Sequence, residues 1–474
     1  MSGLSASSSV KPKTDTDNIV HTSVFKLAWP IFVQALLAML LGYADTLMLS
    51  GYDQTAVGAI GNATQILGFL TLAFTVISSA SGVVVAQYLG AGKKERIDQI
   101  YSVCIAFNLS LSLIISAIVY LGSDALMHLL HTPTEMMSDA RSYMRIVGGF
   151  IFTQAVMDTL SRIFQSNGRT VFGMVISLGM NIINVCGNYL FLYGPLKSLG
   201  LGASGVAVST TFSRIIGLCA GFAFFAIFID GHISFKYLKP FPMDILKTLL
   251  RLGIPTAGEN ISYNVSQLFV TGMVNTLGMV AINTKIYAQI LGNFAYLYSL
   301  SVAMATTIIV GHAVGAGNYD FAYKRVNKTM RGALIVSACI ACLNFLISPI
   351  TLGLFTSHSE IAGIGPQIIQ LGRKVLFVGI FLEFGRTSNL VIINSLKASG
   401  DVKFPTYLGI IAMWSCSVAG GYILGIVCGL GLAGIWIAMA ADEVIRGIVV
   451  AIRWKRGTWR GKSVVQRQEA KAEE

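Results

Sequence analysis

The stretch LAWPIFVQ, residues 27–34, has a counterpart in LGIPTAGE, residues 252–259, in which Pro255 aligns with Pro30. The same offset of 225 residues aligns AQYLGAGKKER (86–96) with GHAVGAGNYDF (311–321). Later in each half, QSNGRTVF (165–172) parallels KASGDVKF (397–404). Landmarks that recur in the same order indicate that the chain consists of two copies of one structural unit.

The composition indicates that both copies lie in a membrane. Of the 474 residues, 54% are hydrophobic and only 12% are charged, which is outside the range of soluble globular domains. The apolar runs are about 20 residues or longer, as a membrane-spanning helix requires. Since short alternating segments of about ten residues do not occur, a β-barrel is disfavoured. The sequence therefore predicts an all-α polytopic membrane protein.

Twelve membrane-spanning helices are predicted, six in each copy. Because six is an even number, the two copies enter the membrane in the same orientation and form two pseudo-symmetric six-helix lobes. The predicted divisions are a tail (1–23), an N-lobe (24–232), a linker (233–249), a C-lobe (250–454) and a second tail (455–474).

The basic residues predict the orientation of the chain. The formal net charge is +12, and most lysines and arginines fall in the loops on the side of the two tails. By the positive-inside rule both termini are expected in the cytoplasm, and the chain is expected in the cell membrane. The charge is thus explained by topology, and we expect no nucleic-acid partner.

The repeat landmarks resemble those of the multidrug and toxic compound extrusion (MATE) family. They are Pro30 followed by Asp45 in YADTLMLSG, and the two GAG turns that begin at Gly90 and Gly315. The similarity extends over nearly the whole chain. It implies a secondary antiporter, and not an enzyme, that exports amphipathic and mostly cationic compounds in exchange for H⁺ or Na⁺. Lobes that alternate access to a central cavity, membrane lipid as the surroundings, a monomer and no cofactor are also expected.

The N-lobe carries a candidate cation site. Asn181, Asn184 and Asn188 are spaced i, i+3 and i+7, so they share one face of a helix. The resemblance places the aspartate of the first helix, Asp45, against Asn184 and Asn188. A carboxylate beside amide oxygens could bind a proton or Na⁺, and the residues do not decide between them. The alternative interpretation is that the amides serve only in helix packing.

The C-lobe carries a second candidate site, for substrate or cation. Glu259 and Tyr263 share one face of the seventh helix, and Glu259 aligns with Gln34 of the first. The tenth helix adds Glu383 and Arg386. Both glutamates lie about one helical turn before the acids usual in the family. The alternative is therefore that they neutralise Arg386 and Lys285, since unpaired charges inside a membrane are unfavourable.

The sequence also bears on three other classes of protein. A GxxxxGK[ST] phosphate loop does not occur in the sequence, which argues against a primary pump. A membrane-embedded enzyme would need a metal or a nucleophile, but His128 and His131 have no clear third ligand, so no metal and no catalytic residue are predicted. A lipid-linked oligosaccharide flippase of the same superfamily remains an alternative, because Arg214, Arg386 and Lys285 could line a cleft for an anionic substrate.

Overall fold

The computed structural model describes residues 19–229, 231–356 and 364–473. Twelve helices, α1 to α12, account for the two lobes, and a thirteenth follows them. Their bounds are α1 Val24–Ser50, α2 Gln54–Gly90, α3 Ile97–Leu121, α4 Ile151–Ser166, α5 Thr170–Leu192, α6 Gly202–Phe228, α7 Met243–Asn275, α8 Met279–Gly315, α9 Tyr319–Thr356, α10 Ile364–Ala398, α11 Lys403–Ala412, α12 Gly431–Lys455 and α13 Val464–Glu473.

Two of these helices are parts of longer, interrupted spans. Ahead of α4 lie the helix Thr134–Tyr143 and a π-helical turn, Met144–Gly148. After α11 the chain continues through two π-helical segments, Met413–Gly420 and Ile423–Val427. Wider turns of this kind bend a helix and often occur near functional sites.

The turns repeat between the lobes as the sequence alignment predicts. Both GAG turns have their last glycine in the left-handed region, with φ +70° at Gly92 and +75° at Gly317. The turns after α4 and α10 also match, with φ +71° at Gly168 and +93° at Gly400. Left-handed backbone favours glycine because it has no Cβ, so these four residues allow the helices to end where they do.

Among the described residues, nine helices are long and apolar enough to cross a membrane. The other three members of the twelve are α4, α7 and α12. The helix α4 has only 16 residues after the π-helical turn that precedes it, whereas α7 and α12 carry charged groups such as Glu259 and Arg446. A polar helix inside a membrane must face protein or a water-filled space. All three of these helices line the cavity described below.

The buried core shows where the two lobes are joined. We define the GAG end as the end of the molecule at which α2 and α8 finish. Towards the opposite end, one apolar cluster consists of N-lobe residues such as Phe74, and another of C-lobe residues such as Leu352. At the GAG end, both clusters mix the lobes: Leu249 packs among N-lobe residues, and Leu27 packs among C-lobe residues.

Glycines bring the backbones of the lobes into direct contact. A Cβ on Gly90 would overlap the carbonyl oxygen of His312, and a Cβ on Gly315 would overlap that of Gln87. Likewise, a Cβ on Gly253 of α7 would overlap the carbonyl oxygen of Val76. Only residues without a side chain permit this approach, so the GAG end is closed by close-packed backbone.

Gln87 connects the lobes at the same place. Its Nε2 donates to the carbonyl oxygen of Ala398, 2.6 Å away, and its Oε1 accepts from Ser463 Oγ at 3.1 Å and from the Val464 backbone N–H at 2.7 Å. The residue is fully buried. Because an unsatisfied buried amide is unfavourable, these three bonds hold the segment before α13 against α2.

Candidate functional site

A cavity of about 340 Å³ lies between the lobes, on the GAG side of the membrane-spanning region. Helices α2 and α4 line it from the N-lobe, and α7, α8, α10 and α12 line it from the C-lobe. Its charged lining residues are Arg162, Glu259, Arg386, Lys397, Glu443 and Arg446. The site therefore combines groups of both signs contributed by both lobes.

Helices α1, α5 and α6 form a separate polar cluster inside the N-lobe. Asn188 Nδ2 donates to Asp45 Oδ1 at 2.6 Å and lies 3.1 Å from Asn184 Oδ1. Asn184 Nδ2 in turn donates to Thr210 Oγ1 at 3.0 Å. Asn184 and Asn188 are fully buried, and Asn188 Oδ1 has no hydrogen-bond partner among the residues that the structure describes. A carboxylate and a spare amide oxygen thus occur together.

Asn181 is less directly connected to the Asp45 cluster than the helical spacing predicts. Its Nδ2 donates to the carbonyl oxygen of Ser177 in its own helix, at 2.9 Å, and its buried Oδ1 has no partner. The hydrogen bonds of the described residues therefore join Asp45 to Asn188 and Asn184 but not to Asn181.

Gln34 and Glu259, which align in the repeat, each pack against a glycine of the fifth helix of their own lobe. A Cβ on Gly173 of α5 would lie 2.7 Å from Gln34 Oε1, and one on Gly409 of α11 would lie 3.2 Å from Glu259 Oε1. Gln34 Nε2 lies 3.4 Å from Ser161 Oγ, while its buried Oε1 is unpartnered. The repeat therefore places an amide and an acid in similar surroundings.

The partner of Glu259 differs from both residues considered in the sequence analysis. Lys397 Nζ lies 2.8 Å from Glu259 Oε2, and Thr406 Oγ1 donates to the same oxygen at 3.2 Å. Lys285 instead donates to Thr271 Oγ1 at 2.5 Å. The alternative in which Lys285 neutralises one of the glutamates is therefore contradicted. Lys397, at the end of α10 and 138 positions from Glu259, neutralises that residue instead, and helical spacing does not reveal such a contact.

Arg386 joins a buried network of charges across α10 and α12. Its Nη1 lies 2.5 Å from Glu383 Oε1, as an i,i+3 pair, and its Nε lies 3.8 Å from Glu443 Oε1. The same Glu443 oxygen lies 3.1 Å from Arg446 Nη2, and Asn389 donates to Glu443 Oε2 at 2.8 Å. Glu383 is thus paired with Arg386, as one of the two sequence interpretations proposed.

The network continues along α12. Arg446 holds both oxygens of Asp442 through two bonds of 2.8 Å, and Ser417 Oγ donates to Asp442 at 2.9 Å. A bidentate arginine–carboxylate pair is the strongest geometry for such a contact. The ring of Tyr296 lies beneath the guanidinium of Arg386, with 5.7 Å between the ring centroid and Cζ of the arginine. Tyr263 and Tyr296 both line the cavity.

The C-lobe site also contains Asn389, Glu443 and Arg446, which were not predicted from the sequence. The signal was present as DEVIR, three charged residues within five positions in an otherwise apolar helix. Arg162 also lines the cavity, although the sequence did not identify it as a site residue. In the structure Gln154 donates to Asp158 at 2.8 Å, and Arg162 donates to Gln165 at 3.4 Å.

The carboxylates of the two lobes differ in their pairing. Glu259, Glu383, Asp442 and Glu443 each have a lysine or arginine nitrogen within 3.8 Å. Within the part of the chain that the structure describes, Asp45 has no such ion pair, although the charge of Arg214 acts on it from farther away. No group of three or more His, Cys, Asp or Glu side chains suited to a metal ion occurs in those described ranges.

Two repeated six-helix lobes with a polar cavity between them define a multi-pass membrane transporter. The MatE family model matches the chain twice, at residues 30–190 and 255–423, beginning at the two aligned prolines. The chain belongs to the MATE family, and it is a transporter rather than an enzyme.

Relatives of similar length support this assignment. YisQ of Bacillus subtilis, described as an uncharacterized transporter, is 38% identical over 437 residues, which cover 92% of this chain and 94% of that protein. A Thermotoga maritima protein described as the probable multidrug resistance protein NorM is 24% identical, with 97% of each chain covered.

Solved structures share the fold. An outward-facing multidrug resistance MATE family transporter superposes with a TM-score of 0.84 at 20% identity, over 94% of this chain and 98% of that one. A MATE protein in a bent conformation superposes with a TM-score of 0.85 at 18% identity, over 98% of this chain and all of the other.

Proposed function

We propose that the chain is a cation-coupled antiporter that exports amphipathic, mostly cationic compounds in exchange for H⁺ or Na⁺. The observation that carries the proposal is the Asp45 cluster. Asp45 is a carboxylate in a membrane-spanning helix that accepts a hydrogen bond from Asn188 but has no ion pair among the described residues. Such a group can take up a cation, whereas the paired carboxylates of the C-lobe are already neutralised.

The position of the cluster supports a coupling role. Asp45 lies five residues before the end of α1, towards the end of the molecule where each lobe has its own core. A cation could therefore reach it from that side while the GAG end is closed. The spare oxygen of Asn188 would add a neutral ligand for Na⁺, and the carboxylate alone would suffice for H⁺.

Alternating access follows from the same arrangement. Among the described residues, the core clusters that mix the two lobes lie at the GAG end. Rocking of the lobes about this shared core would open the opposite side, and separation of the shared core would open the GAG side. The basic loops lie at the GAG end, so we propose that this end faces the cytoplasm and that the protein resides in the cell membrane as a monomer. The similarity to NorM of Thermotoga maritima, a probable multidrug resistance protein, supports small-molecule export.

The test is dye transport in everted membrane vesicles. A fluorescent lipophilic cation such as ethidium is offered under an imposed H⁺ gradient and, separately, an imposed Na⁺ gradient. The Asp45→Asn variant should lose exchange under whichever gradient drives the wild-type protein. Asp53→Asn is the matched control, because Asp53 only caps α2 through the Thr55 backbone N–H and asparagine caps equally well.

Full activity of Asp45→Asn under the effective gradient would remove Asp45 from the coupling mechanism. Loss of activity in both variants would indicate a general defect, and measured protein levels in the vesicles would reveal it.

A second candidate is the transport of an anionic substrate, as in a lipid-linked oligosaccharide flippase. It is favoured by Arg162, which lines the cavity and has no ion pair among the described residues. Vesicle assays with a lipid-linked anionic substrate would distinguish the candidates. The second proposal would replace the first if the wild type transports that substrate but not the cationic dye, and if Arg162→Gln abolishes the transport.

A further inference from the structure

A groove of about 770 Å³ lies on the outer flank of the protein at the GAG end, away from the central cavity. Its walls are the first two turns of α1 from the N-lobe, together with α8 and α9 from the C-lobe. The lining is largely aromatic and aliphatic and includes Phe25, Trp29, Phe32, Phe294 and Tyr298. Phe25 is 68% exposed and Trp29 is 51% exposed, so this lining faces the lipid rather than the protein core.

The shape of the groove suits a long apolar chain. Phe25, Trp29 and Phe32 stack along α1, with ring centroids 6.1 and 5.9 Å apart, and form one continuous wall. On α9 the lining runs from Arg325 to Ile340, which is about 22 Å along a helix. That length exceeds half of a hydrocarbon core of about 30 Å, so the groove can follow a lipid chain through one leaflet.

The floor of the groove is open. A Cβ placed on Gly332 of α9 would meet no atom within 4 Å, and Ala333 and Ser301 also line the groove with small side chains. Small residues on facing helices normally allow the helices to pack closely. Ala333 and Ser301 are buried in this way, whereas the position above Gly332 is open to an occupant from the membrane.

The mouth of the groove is basic. Arg325 and Lys328 of α9 lie there, together with His21. Arg325 donates to the carbonyl oxygen of Thr22, but its buried Nε has no partner. In the part of the chain that the structure describes, no carboxylate lies within ion-pair distance of either Arg325 or Lys328. Two cations thus lie at the mouth of the groove, where the described residues supply no carboxylate to pair with either of them.

We propose that this groove binds one anionic phospholipid from the leaflet at the GAG end. The phosphate is held by Arg325 and Lys328, and an acyl chain lies against the aromatic wall of α1. A guanidinium and an ammonium close together match a phosphate group, whereas they would repel a lipophilic cation. The phospholipid also touches both lobes, because the walls belong to α1 on one side and to α8 and α9 on the other.

A consequence is that the lipid stabilises the closed GAG end. The same turns of α1 carry Leu27, Ala28 and Ile31, which are buried in the core shared with the C-lobe. A molecule that fills the adjoining groove adds contacts across this joint only while α1 packs against α8 and α9. Opening of the GAG end would separate the walls and weaken lipid binding. The factor by which opening weakens lipid binding equals the factor by which the bound lipid shifts the protein towards the closed GAG end.

The experiment compares two phospholipids that differ only in the headgroup. Delipidated full-length protein in detergent is titrated with dioleoyl phosphatidylglycerol and with dioleoyl phosphatidylcholine, and binding is followed by native mass spectrometry and by the shift in melting temperature. We expect tighter binding of the anionic lipid, weakened about 30-fold in Arg325→Gln/Lys328→Gln by the loss of both charges. Lys236→Gln, which removes an exposed basic residue at the same end, should bind like the wild type.

A second variant tests the apolar part of the site. Gly332→Phe fills the open floor while leaving both cations in place, and it should abolish tight binding of phosphatidylglycerol. Inorganic phosphate should leave the melting temperature unchanged at concentrations where the lipid raises it. The proposal is overturned if both lipids bind equally, if the double variant binds like Lys236→Gln, or if a folded Gly332→Phe variant, checked by circular dichroism, retains the lipid.

Discussion

The Glu259–Lys397 pair allows a sharp prediction about the role of the acid in α7. The two side chains are each only 14% exposed, their charged atoms are 2.8 Å apart, and they join α7 to α10 at the edge of the cavity. Glu259→Gln removes one charge and leaves Lys397 without a carboxylate. Thr406 can still donate to a glutamine oxygen, so the change in shape is small.

The expected effect on stability comes from the uncompensated lysine. Removing one member of a buried ion pair destabilises a protein by about 3–5 kcal/mol, whereas replacing both members is often nearly neutral. Since this pair borders a cavity that water can enter, we expect about 3 kcal/mol for Glu259→Gln. We expect less than about 1 kcal/mol for Glu259→Gln/Lys397→Gln, because the two amides can hydrogen-bond to each other.

The assay combines stability with transport. Unfolding is measured for the wild type, both single variants and the double variant in one detergent, and the coupling energy is obtained from the double-mutant cycle. The same four proteins are tested for dye exchange. Recovery of both stability and transport in the double variant means that Glu259 serves to neutralise Lys397. Recovery of stability alone means that its carboxylate also takes part in transport.

The control is Lys403→Gln, which removes an exposed lysine six residues from Lys397 and should change stability by less than about 0.5 kcal/mol. A Glu259→Gln variant as stable as the wild type would refute the reasoning. So would a double variant that is no more stable than Glu259→Gln, since the uncompensated charge would then not be the cause.

Three further predictions concern a close contact between helix backbones, a buried glutamine and a buried ion pair. Gly253→Ala should separate α7 from α2 and destabilise the protein by about 1–3 kcal/mol. Gly258→Ala in the same helix is the control, since its Cβ would enter open space, and it should be neutral or slightly stabilising. Equal melting temperatures of the two variants would contradict the proposed contact at Gly253. Gln87→Ala removes three hydrogen bonds and should make the segment before α13 more sensitive to proteolysis. The control is Gln54→Ala, which replaces an exposed glutamine and should leave cleavage unchanged. Unchanged cleavage in Gln87→Ala would contradict the role of Gln87. Arg446→Met leaves Asp442 unpaired and should lower stability by about 3–5 kcal/mol. Arg446→Lys keeps the charge and should lower stability less. Equal losses of stability in the two variants would show that the charge itself contributes little.

Much of the fold was predictable because it depends on spacing along the chain. Apolar runs long enough to span a membrane, and an even number of them in each repeat, led to two parallel six-helix lobes. The alignment of Pro30 with Pro255 is matched by the two segments of the MatE family match, which begin at those residues. The N-lobe cluster was also partly accessible, since the helical spacing of Asn184 and Asn188 places both on one face.

The C-lobe site was less predictable, because it depends on contacts between distant helices. The sequence identified Glu259, Glu383 and Arg386 as candidates, but the partners Lys397 and Glu443 follow from how α7, α10 and α12 pack. A charge inside a membrane must be neutralised by a neighbour, and the sequence does not state which neighbour the packing supplies.

By itself, therefore, the sequence determined that this is a two-lobed helical membrane protein, since hydropathy, helix length and the internal repeat are properties of the chain read in order. The MATE family was suggested by the resemblance of its landmarks and is shown by the MatE family match. The tertiary structure decided which carboxylates are paired and left Asp45 without an ion pair among the described residues. It also decided that Gln87 holds the segment before α13, and that α1, α8 and α9 enclose a basic, apolar groove. The physical reason is that ion pairs and buried hydrogen bonds act over a few ångströms in space, whatever the separation of their residues along the chain.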